Sequence, residues 1–290
     1  MTEEYLDSKR IIGLSYSPAS TDIADSAWTV TCSDYAASSG VIDWTGVRSA
    51  GVDGIHYDVG AGNISDTQWV LRFKMRTDAA SAPSSGSNII HIAVSDAVVQ
   101  SQSTGSEDSL GYYERYHNSS AHKQTVAYGD GSNLLNCVSD FNTTAPSTGA
   151  KYIEFKRTSA TSFTVTRYSD EFVTTMETAK TVTIASTIQS LRYVKIQNKE
   201  ESANGGTFNG IITKVQFWNN TTSATGTPTW SSGTGSPDKD SLTNVQEGSI
   251  LVEKDTANRF WGSNKVTTET VYDYTTAPST QEKLSGTAQA

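Results

Sequence analysis

Residues 69–76 read WVLRFKMR, so apolar and charged side chains alternate along this segment. The same period of two recurs in YIEFKR at 152–157, FTVTRY at 163–168 and IITKVQFW at 211–218. Such alternation is typical of a β-strand that turns one face to a core and the other to water. Because no long segment shows a helical period, we predict an all-β protein built as a sandwich.

The composition excludes several classes of function. The chain has 290 residues and a formal net charge of -9 at pH 7. Lys and Arg are not clustered, whereas phosphate binding needs concentrated positive charge. No apolar run approaches the roughly 20 residues that span a bilayer. Cys32 and Cys137 are too few and too far apart for a disulfide scaffold or a zinc site. We expect no nucleic-acid partner, no membrane insertion and no cofactor.

The sequence divides into four segments. Residues 1–20 are a polar N-terminal arm, residues 21–220 hold the sandwich, and residues 221–243, rich in Gly, Ser, Thr and Pro, are predicted to be a linker. Residues 244–290 are predicted to form a C-terminal hairpin and tail. The first residues have acidic side chains where a signal peptide has basic ones, so we expect no leader for secretion.

A resemblance refines the fold. The segments that carry it are YDVG at 57–60 with SDTQWVLRFK at 65–74, the hairpin YIEFKRTSATSFTVTRYSDEF at 152–172, and the closing strand GIITKVQFW at 210–218. The region from about Trp28 to Trp218 resembles the concanavalin A-like lectin/glucanase superfamily, in particular its laminin-G-like jelly rolls. The resemblance implies a two-sheet antiparallel jelly-roll β-sandwich, to which the chain adds a small C-terminal β-hairpin module.

The C-terminal hairpin contains a short motif whose residues are Gly248, Ser249, Glu253, Asp255, Thr256 and Trp261. In this motif the hairpin resembles hairpins of phage and virus structural proteins. The resemblance implies a capsid-decorating or tail/fibre component at the virion surface, attached to other virion proteins or to copies of itself as a homo-oligomer. The residues predicted to make this attachment are Ile11, Ile12, Trp230, Phe260 and Trp261.

The best candidate for a binding site is the segment LGYYERYH at 110–117. In a strand, Tyr112, Glu114 and Tyr116 share one face, so two rings flank a carboxylate. Aromatic rings stack on the C–H faces of sugars and carboxylates accept hydrogen bonds from hydroxyls, which predicts a carbohydrate-binding strip. The alternative is that the tyrosines are ordinary packing or subunit-interface residues.

No catalytic or metal-binding residue is predicted. A glucanase of this fold needs paired carboxylates on one strand, and the pattern E-x-D-x-x-E does not occur in the sequence. The oxygen-rich loops near Asp53, Asp58 and Asp130 match no calcium loop. We therefore predict an adhesion protein that displays a lectin-like domain to a host-surface glycan. A cellular or secreted carbohydrate-binding protein is the alternative, and a glycan-degrading enzyme that uses Glu114 is a further one.

Overall fold

The computed structural model describes residues 22–47, 54–81, 87–98, 107–117, 122–131, 136–141, 150–199 and 207–233, and shorter stretches near the two ends of the chain. Those stretches are residues 2–6, 9–13, 250–253, 259–262, 264–265 and 272–273. The chain separates into two units, Pro18–Thr234 and a second one that combines Met1–Ser17 with Gly235–Ala290. The strands are numbered along the chain from β1 to β21.

The larger unit contains two antiparallel sheets, which we call the front sheet and the back sheet. The front sheet has the order β11-β10-β9-β8-β15-β6-β3. Its strands are β3 (Trp28–Val30), β6 (Gly54–Asp58), β8 (Ser87–Ser95), β9 (Asp108–His117), β10 (His122–Asp130), β11 (Asn136–Phe141) and β15 (Tyr193–Lys199). A short 3-10 helix, Asp25–Ala27, precedes β3.

The back sheet has the order β14-β13-β12-β7-β16-β5-β4, and β17 pairs with β16. Its strands are β4 (Tyr35–Ser38), β5 (Val41–Val47), β7 (Trp69–Ser81), β12 (Lys151–Ser159), β13 (Ser162–Tyr168), β14 (Lys180–Thr183), β16 (Thr207–Asn219) and β17 (Trp230–Ser232). All four alternating segments of the sequence are strands of this sheet. The predicted jelly-roll β-sandwich is confirmed.

The core lies between the two sheets, and strand alternation fills it. Trp69, Leu71 and Phe73 of β7 are at most 1% exposed and belong to the core, together with alternate residues of β8 in the front sheet. Arg72 and Lys74 alternate in sequence with the buried Leu71, Phe73 and Met75 and point away from the core, as the period of two requires. We call the side of each sheet that is turned away from this core its outer face.

The second unit contains a four-stranded sheet with the order β1-β2-β18-β19. Its strands are β1 (Thr2–Leu6), β2 (Lys9–Gly13), β18 (Ile250–Glu253) and β19 (Arg259–Gly262), and two short strands follow, β20 (Asn264–Lys265) and β21 (Tyr272–Asp273). The predicted C-terminal hairpin is confirmed, since β18 and β19 pair antiparallel.

The N-terminal arm is not a separate element. Strand β2 pairs parallel with β18, so that Ile11 lies opposite Ile250 and Ile12 opposite Leu251. Four of the residues predicted to attach the protein to a particle thus fall in one sheet, although their side chains lie outside the described residues. Their role in attachment stays a prediction.

Trp230 corrects the predicted linker. The residue is 5% exposed and lies in β17, opposite Phe217 of β16. Its ring stacks on Phe217 with centroids 5.5 Å apart and an interplanar angle of 19°. A linker that starts at residue 221 is therefore wrong, and Trp230 is a core residue of the sandwich rather than an attachment residue. No helix among the described residues is long and apolar enough to cross a membrane.

Candidate functional site

The predicted carbohydrate strip lies inside the sandwich. Tyr112 and Glu114 of β9 are 0% and 1% exposed. The Tyr112 ring packs near Phe141, and Glu114 Oε1 lies 3.7 Å from Lys151 Nζ of the back sheet. Tyr112 and Glu114 share a face, as predicted, but that face looks into the interior. The expectation of an open strip is wrong for these two residues, and the side chain of Tyr116 lies outside the described parts.

The opposite face of the same strand carries a polar row. Tyr113 of β9 lies opposite His91 of β8 and opposite Thr125 of β10, and His91 lies opposite Gln197 of β15. The two neighbours of His91 along its strand belong to the core, so His91 points to the outer face of the front sheet. Residues directly opposite each other share a face, and the row therefore crosses four adjacent strands.

This row is polar and yet buried. Thr125, Tyr113, His91 and Gln197 are 4%, 3%, 0% and 4% exposed. The rings of His91 and Tyr113 meet edge to face, with centroids 4.8 Å apart. Tyr113 and Ala127 form a buried cluster separate from the main core. Polar side chains on a sheet face that is in contact only with water are expected to be exposed. Neighbouring protein groups must therefore cover this part of the outer face.

Small residues form a low strip beside the polar row. Ala93 lies opposite Gly111, and Gly111 lies opposite Ala127. A Cβ atom at Gly111 would lie only 2.2 Å from the carbonyl oxygen of Ile92. Only glycine fits this close approach of two backbones. The longer side chains of the outer face therefore lie next to a strip of small residues.

One margin of the face is charged. Lys195 Nζ lies 2.5 Å from Glu107 Oε2, and the two side chains are 1% and 11% exposed. Burial lowers the pKa of Lys195, and the nearby Glu107 opposes this shift. Asp96 Oδ1 accepts a hydrogen bond from the backbone N–H of Asp108 at 3.0 Å. Carboxylates thus outnumber cations at this margin.

Asp96 makes the stability of the sandwich depend on pH. Burial, and next the Asp108 carboxylate, raise the pKa of Asp96 from 3.8 to about 6. The folded state holds this proton more tightly than the unfolded state, so the free energy of unfolding falls as pH rises from about 4 to about 6. Asp96→Asn keeps the acceptor for Asp108 N–H. We expect it to raise the free energy of unfolding at pH 7 by about 1 kcal/mol, a value discounted for partial exposure.

Urea unfolding at pH 7 and at pH 4 checks this prediction. The gain from Asp96→Asn should vanish at pH 4, where Asp96 is protonated in the folded state. Asp58→Asn is the matched control. A hydrogen bond from Arg192 lowers the pKa of Asp58, so replacing this carboxylate should lower the free energy of unfolding at pH 7. An Asp96→Asn protein that is less stable than wild type at pH 7 would contradict the argument.

The outer face opens to solvent at β6 and β15. His56 lies opposite Lys195, and Asp58 lies opposite Tyr193. Arg192 donates hydrogen bonds of 2.8 and 2.6 Å to the two carboxylate oxygens of Asp58, and these side chains are 40% and 42% exposed. The guanidinium of Arg192 also lies 5.0 Å from the centre of the Tyr193 ring. The rings of His56 and Tyr193 meet edge to face, with centroids 5.7 Å apart.

We call the set His56, Asp58, Arg192 and Tyr193 the open end of the outer face. Burial lowers the pKa of His56, against the opposing effect of Asp58, so the imidazole is neutral at pH 7 and can both donate and accept a hydrogen bond. The set combines an aromatic ring, a carboxylate, a guanidinium and an imidazole. No group of three or more His, Cys, Asp or Glu side chains suited to a metal ion occurs in the part of the chain that the structure describes.

The sequence did contain a signal for this face. In residues 193–198, YVKIQN, polar side chains alternate with Val194 and Ile196, and so Tyr193, Lys195 and Gln197 had to share a face. His91 is likewise the one polar residue in IIHIAV at 89–94. A single polar side chain in an apolar strand marks an outward position, but it does not say which strands lie beside it.

Known proteins resemble this chain in fold at low similarity. No protein-family model matches the chain, and no curated protein matches it in sequence. Among solved structures, the metal-free exoplasmic/lumenal domain of VIP36 shares 8% identity at a TM-score of 0.45, covering 74% of this chain and 94% of that one. The alginate lyase Aly36B shares 10% identity at a TM-score of 0.42, covering 66% and 85%.

A third similar structure is the CBM2 module of the evolved Dit from Lactobacillus casei BL23 phage J-1. It shares 8% identity at a TM-score of 0.41 and covers 63% of this chain and 77% of the module. These similar structures thus include an alginate lyase and a CBM2 module. At such identities the likeness concerns the fold alone, and the activity has to be argued from the residues of this chain.

Proposed function

We propose that the protein binds a glycan at the open end of the front sheet's outer face, and that it does so as an adhesion component displayed on a virus particle. The observation that carries the binding proposal is that His56, Asp58 and Tyr193 share one face of two paired strands, and that Arg192, the residue just before β15, reaches Asp58 with its guanidinium. Their rigid support is the buried polar row beside them, whose side chains are at most 4% exposed.

The open end has the groups that sugar recognition requires. The Tyr193 ring offers an apolar surface for the C–H bonds of a pyranose. Asp58 accepts hydrogen bonds, Arg192 donates them in a planar fork, and neutral His56 can do either. The Arg192 to Asp58 pair fixes both groups before a ligand arrives, and such preorganisation lowers the entropy cost of binding.

The surrounding charge favours a neutral glycan. Glu107 neutralises Lys195, and Asp96 and Asp108 lie close by, each with a pKa that burial raises. The chain as a whole carries a formal charge of -9. An anionic sugar would approach against this field, whereas a neutral sugar meets no such barrier.

The virion context is supported by the sequence. The support consists of the neutral polar composition and of the hairpin that resembles those of phage and virus structural proteins. Many weak sites on one particle raise the effective affinity for a host surface, so a single site of modest affinity suffices. Electron microscopy of native material tests this part, because the protein should be found on particles.

Binding is tested by isothermal titration of the purified chain with neutral and acidic oligosaccharides. Arg192→Ala removes the donor fork and leaves Asp58 without its partner, and we expect it to weaken binding at least about tenfold, equivalent to about 1.4 kcal/mol. Tyr193→Ala should have a comparable effect. Wild type should prefer neutral oligosaccharides.

A matched control is available in the back sheet. Arg76 forms an ion pair with Asp78, and these side chains are 47% and 40% exposed, close to the values of the pair in the open end. Arg76→Ala should therefore leave glycan affinity unchanged. Equal losses in both Arg variants, or full affinity in Arg192→Ala and Tyr193→Ala, would exclude the open end as the site.

A further inference from the structure

A loop on the back sheet displays apolar side chains to solvent. The loop comprises residues 169–177 between β13 and β14, and we call it the Phe172 loop. Val173 is 79% exposed and Met176 is 45% exposed. Only one other large apolar side chain is exposed among the described residues, Val30 at 42%. Exposed apolar groups gathered on one loop are characteristic of interaction sites.

The loop is held in a fixed shape. Asp170 Oδ1 accepts hydrogen bonds from the backbone N–H of Val173 at 3.1 Å and of Thr174 at 2.7 Å. Ser169 N–H donates to the carbonyl oxygen of Thr174 at 3.0 Å. These bonds close the loop on itself, so the display of Val173 needs no ordering when a partner binds.

Phe172 anchors the loop to the outer face of the back sheet. Its backbone has a φ of 61°, a region that a bulky side chain adopts only at a cost in free energy. The ring lies 5.4 Å from that of Tyr152 and 5.7 Å from that of Tyr168, and the guanidinium of Arg72 lies 4.5 Å from its centre. The contacts of the Phe172 ring keep this strained backbone in place and aim Val173 outward.

The same surface has one cation and one anion that lack opposite charges. Lys74 Nζ lies 5.5 Å from the centre of the Tyr152 ring, and no carboxylate among the described residues pairs with it. Asp170 accepts only hydrogen bonds from groups of its own loop and pairs with no cation in the described part of the chain. Opposite charges on one surface are complementary to a second copy of that surface.

We infer that the Phe172 loop, with Lys74, Tyr152 and Tyr168 beside it, is the contact between two copies of this chain related by a two-fold axis. In such a contact both copies use the same surface, so every contact from one copy to the other also occurs in reverse. Lys74 of one copy can then approach Asp170 of the other, and the Val173 side chains leave water. A stable interface buries about 1,200 Å² or more, so the flanking sheet face takes part as well as the loop tip.

A lipid surface fits the Phe172 loop less well than a second copy of the chain does. Glu171 pairs with Lys214, and Glu177 pairs with Arg167 and Lys180. These cations are therefore already neutralised, whereas an anionic lipid surface is bound by a cluster of available Lys and Arg side chains. The proposal does not depend on glycan binding, because the open end lies on the front sheet and this contact lies on the back sheet. An experiment can therefore disprove the glycan site without disproving the dimer contact, and the reverse.

Sedimentation equilibrium of the full chain, at concentrations from about 1 to about 100 µM, tests the contact. Wild type should be dimeric at the upper end. Val173→Asp places a charge at the centre of the contact and should raise the dissociation constant at least about 100-fold. Val30→Asp, on strand β3 of the front sheet, is the matched control and should leave the dissociation constant unchanged. Thermal denaturation should show that both variants remain folded, since both sites are exposed.

Charge provides an independent readout. Lys74→Glu should weaken the dimer, because it sets a carboxylate against Asp170 of the other copy, whereas Lys74→Arg, which keeps the positive charge, should leave the affinity close to that of wild type. A wild type that is monomeric at every concentration would overturn the proposal. So would a Val173→Asp protein that associates like wild type, or a Val30→Asp protein that loses association to the same extent.

Discussion

Replacement of Trp230 by Ala in the full chain is expected to destabilise the sandwich by about 3–5 kcal/mol, the usual cost of removing a large buried ring. The side chain is 5% exposed, stacks on Phe217 and meets the Tyr57 ring edge to face at 4.9 Å. Ala at this position leaves a cavity next to β16. Urea unfolding followed by far-ultraviolet circular dichroism measures the change.

Val173→Ala is the control for this prediction. Val173 is 79% exposed, and its replacement should change the free energy of unfolding by no more than about 0.5 kcal/mol. A cost below about 1 kcal/mol for Trp230→Ala, the range of surface substitutions, would show that Trp230 belongs to a linker after all.

Glu114→Leu is expected to destabilise the sandwich by about 3–5 kcal/mol, because it breaks a buried ion pair and leaves the partner charge in the interior. Glu114 and Lys151 side chains are 1% and 3% exposed, with 3.7 Å between Oε1 and Nζ. Burial lowers the pKa of Lys151, the Glu114 charge raises it, and the Arg167 charge lowers it. Without the carboxylate, the Lys151 charge stays buried and unpaired near Arg167, which keeps Glu177 as its own partner.

The double variant Glu114→Leu with Lys151→Met separates this cause from poor packing. Replacing both partners by apolar side chains of similar size is often neutral, so most of the lost stability should return. The free energies of unfolding of the two single variants and the double variant form a cycle. Additive losses in that cycle would contradict a direct interaction between the two residues.

Local alternation was sufficient to predict the strands of the sandwich. In β7, for example, Leu71, Phe73 and Met75 each have a charged neighbour, and the period of two leaves only one way to bury these apolar residues on one face. The position of Trp230 could not be read in the same manner. Its strand has three residues inside a segment rich in Gly, Ser, Thr and Pro, and it is held by pairing with β16, a contact that local composition does not reveal.

The candidate site was harder to predict because both faces of β9 are buried. Tyr112 and Glu114 look like surface residues by type, yet they lie in the interior, where Lys151 of the other sheet neutralises Glu114. Tyr113 on the opposite face is 3% exposed. When each face carries polar and aromatic residues, alternation shows which residues share a face but not which face is inside.

The two proposed surfaces of the sandwich complement each other. A glycan site on the front sheet and a self-contact on the back sheet would give a dimer with two sugar sites. Linked sites bind a dense surface far more tightly than a single site does, if their spacing allows both to bind at once. Adhesion would then not require high affinity at either site.

The central claim is that a glycan binds at the open end of the front sheet. Nuclear magnetic resonance titration of the labelled chain, with the neutral oligosaccharide that binds best, tests it most directly. We predict saturable shifts of the amide signals of β6 and β15, centred on His56, Asp58, Arg192 and Tyr193, with the strands of the back sheet unaffected. Shifts confined to the back sheet, or no shift with any neutral oligosaccharide, would contradict the claim.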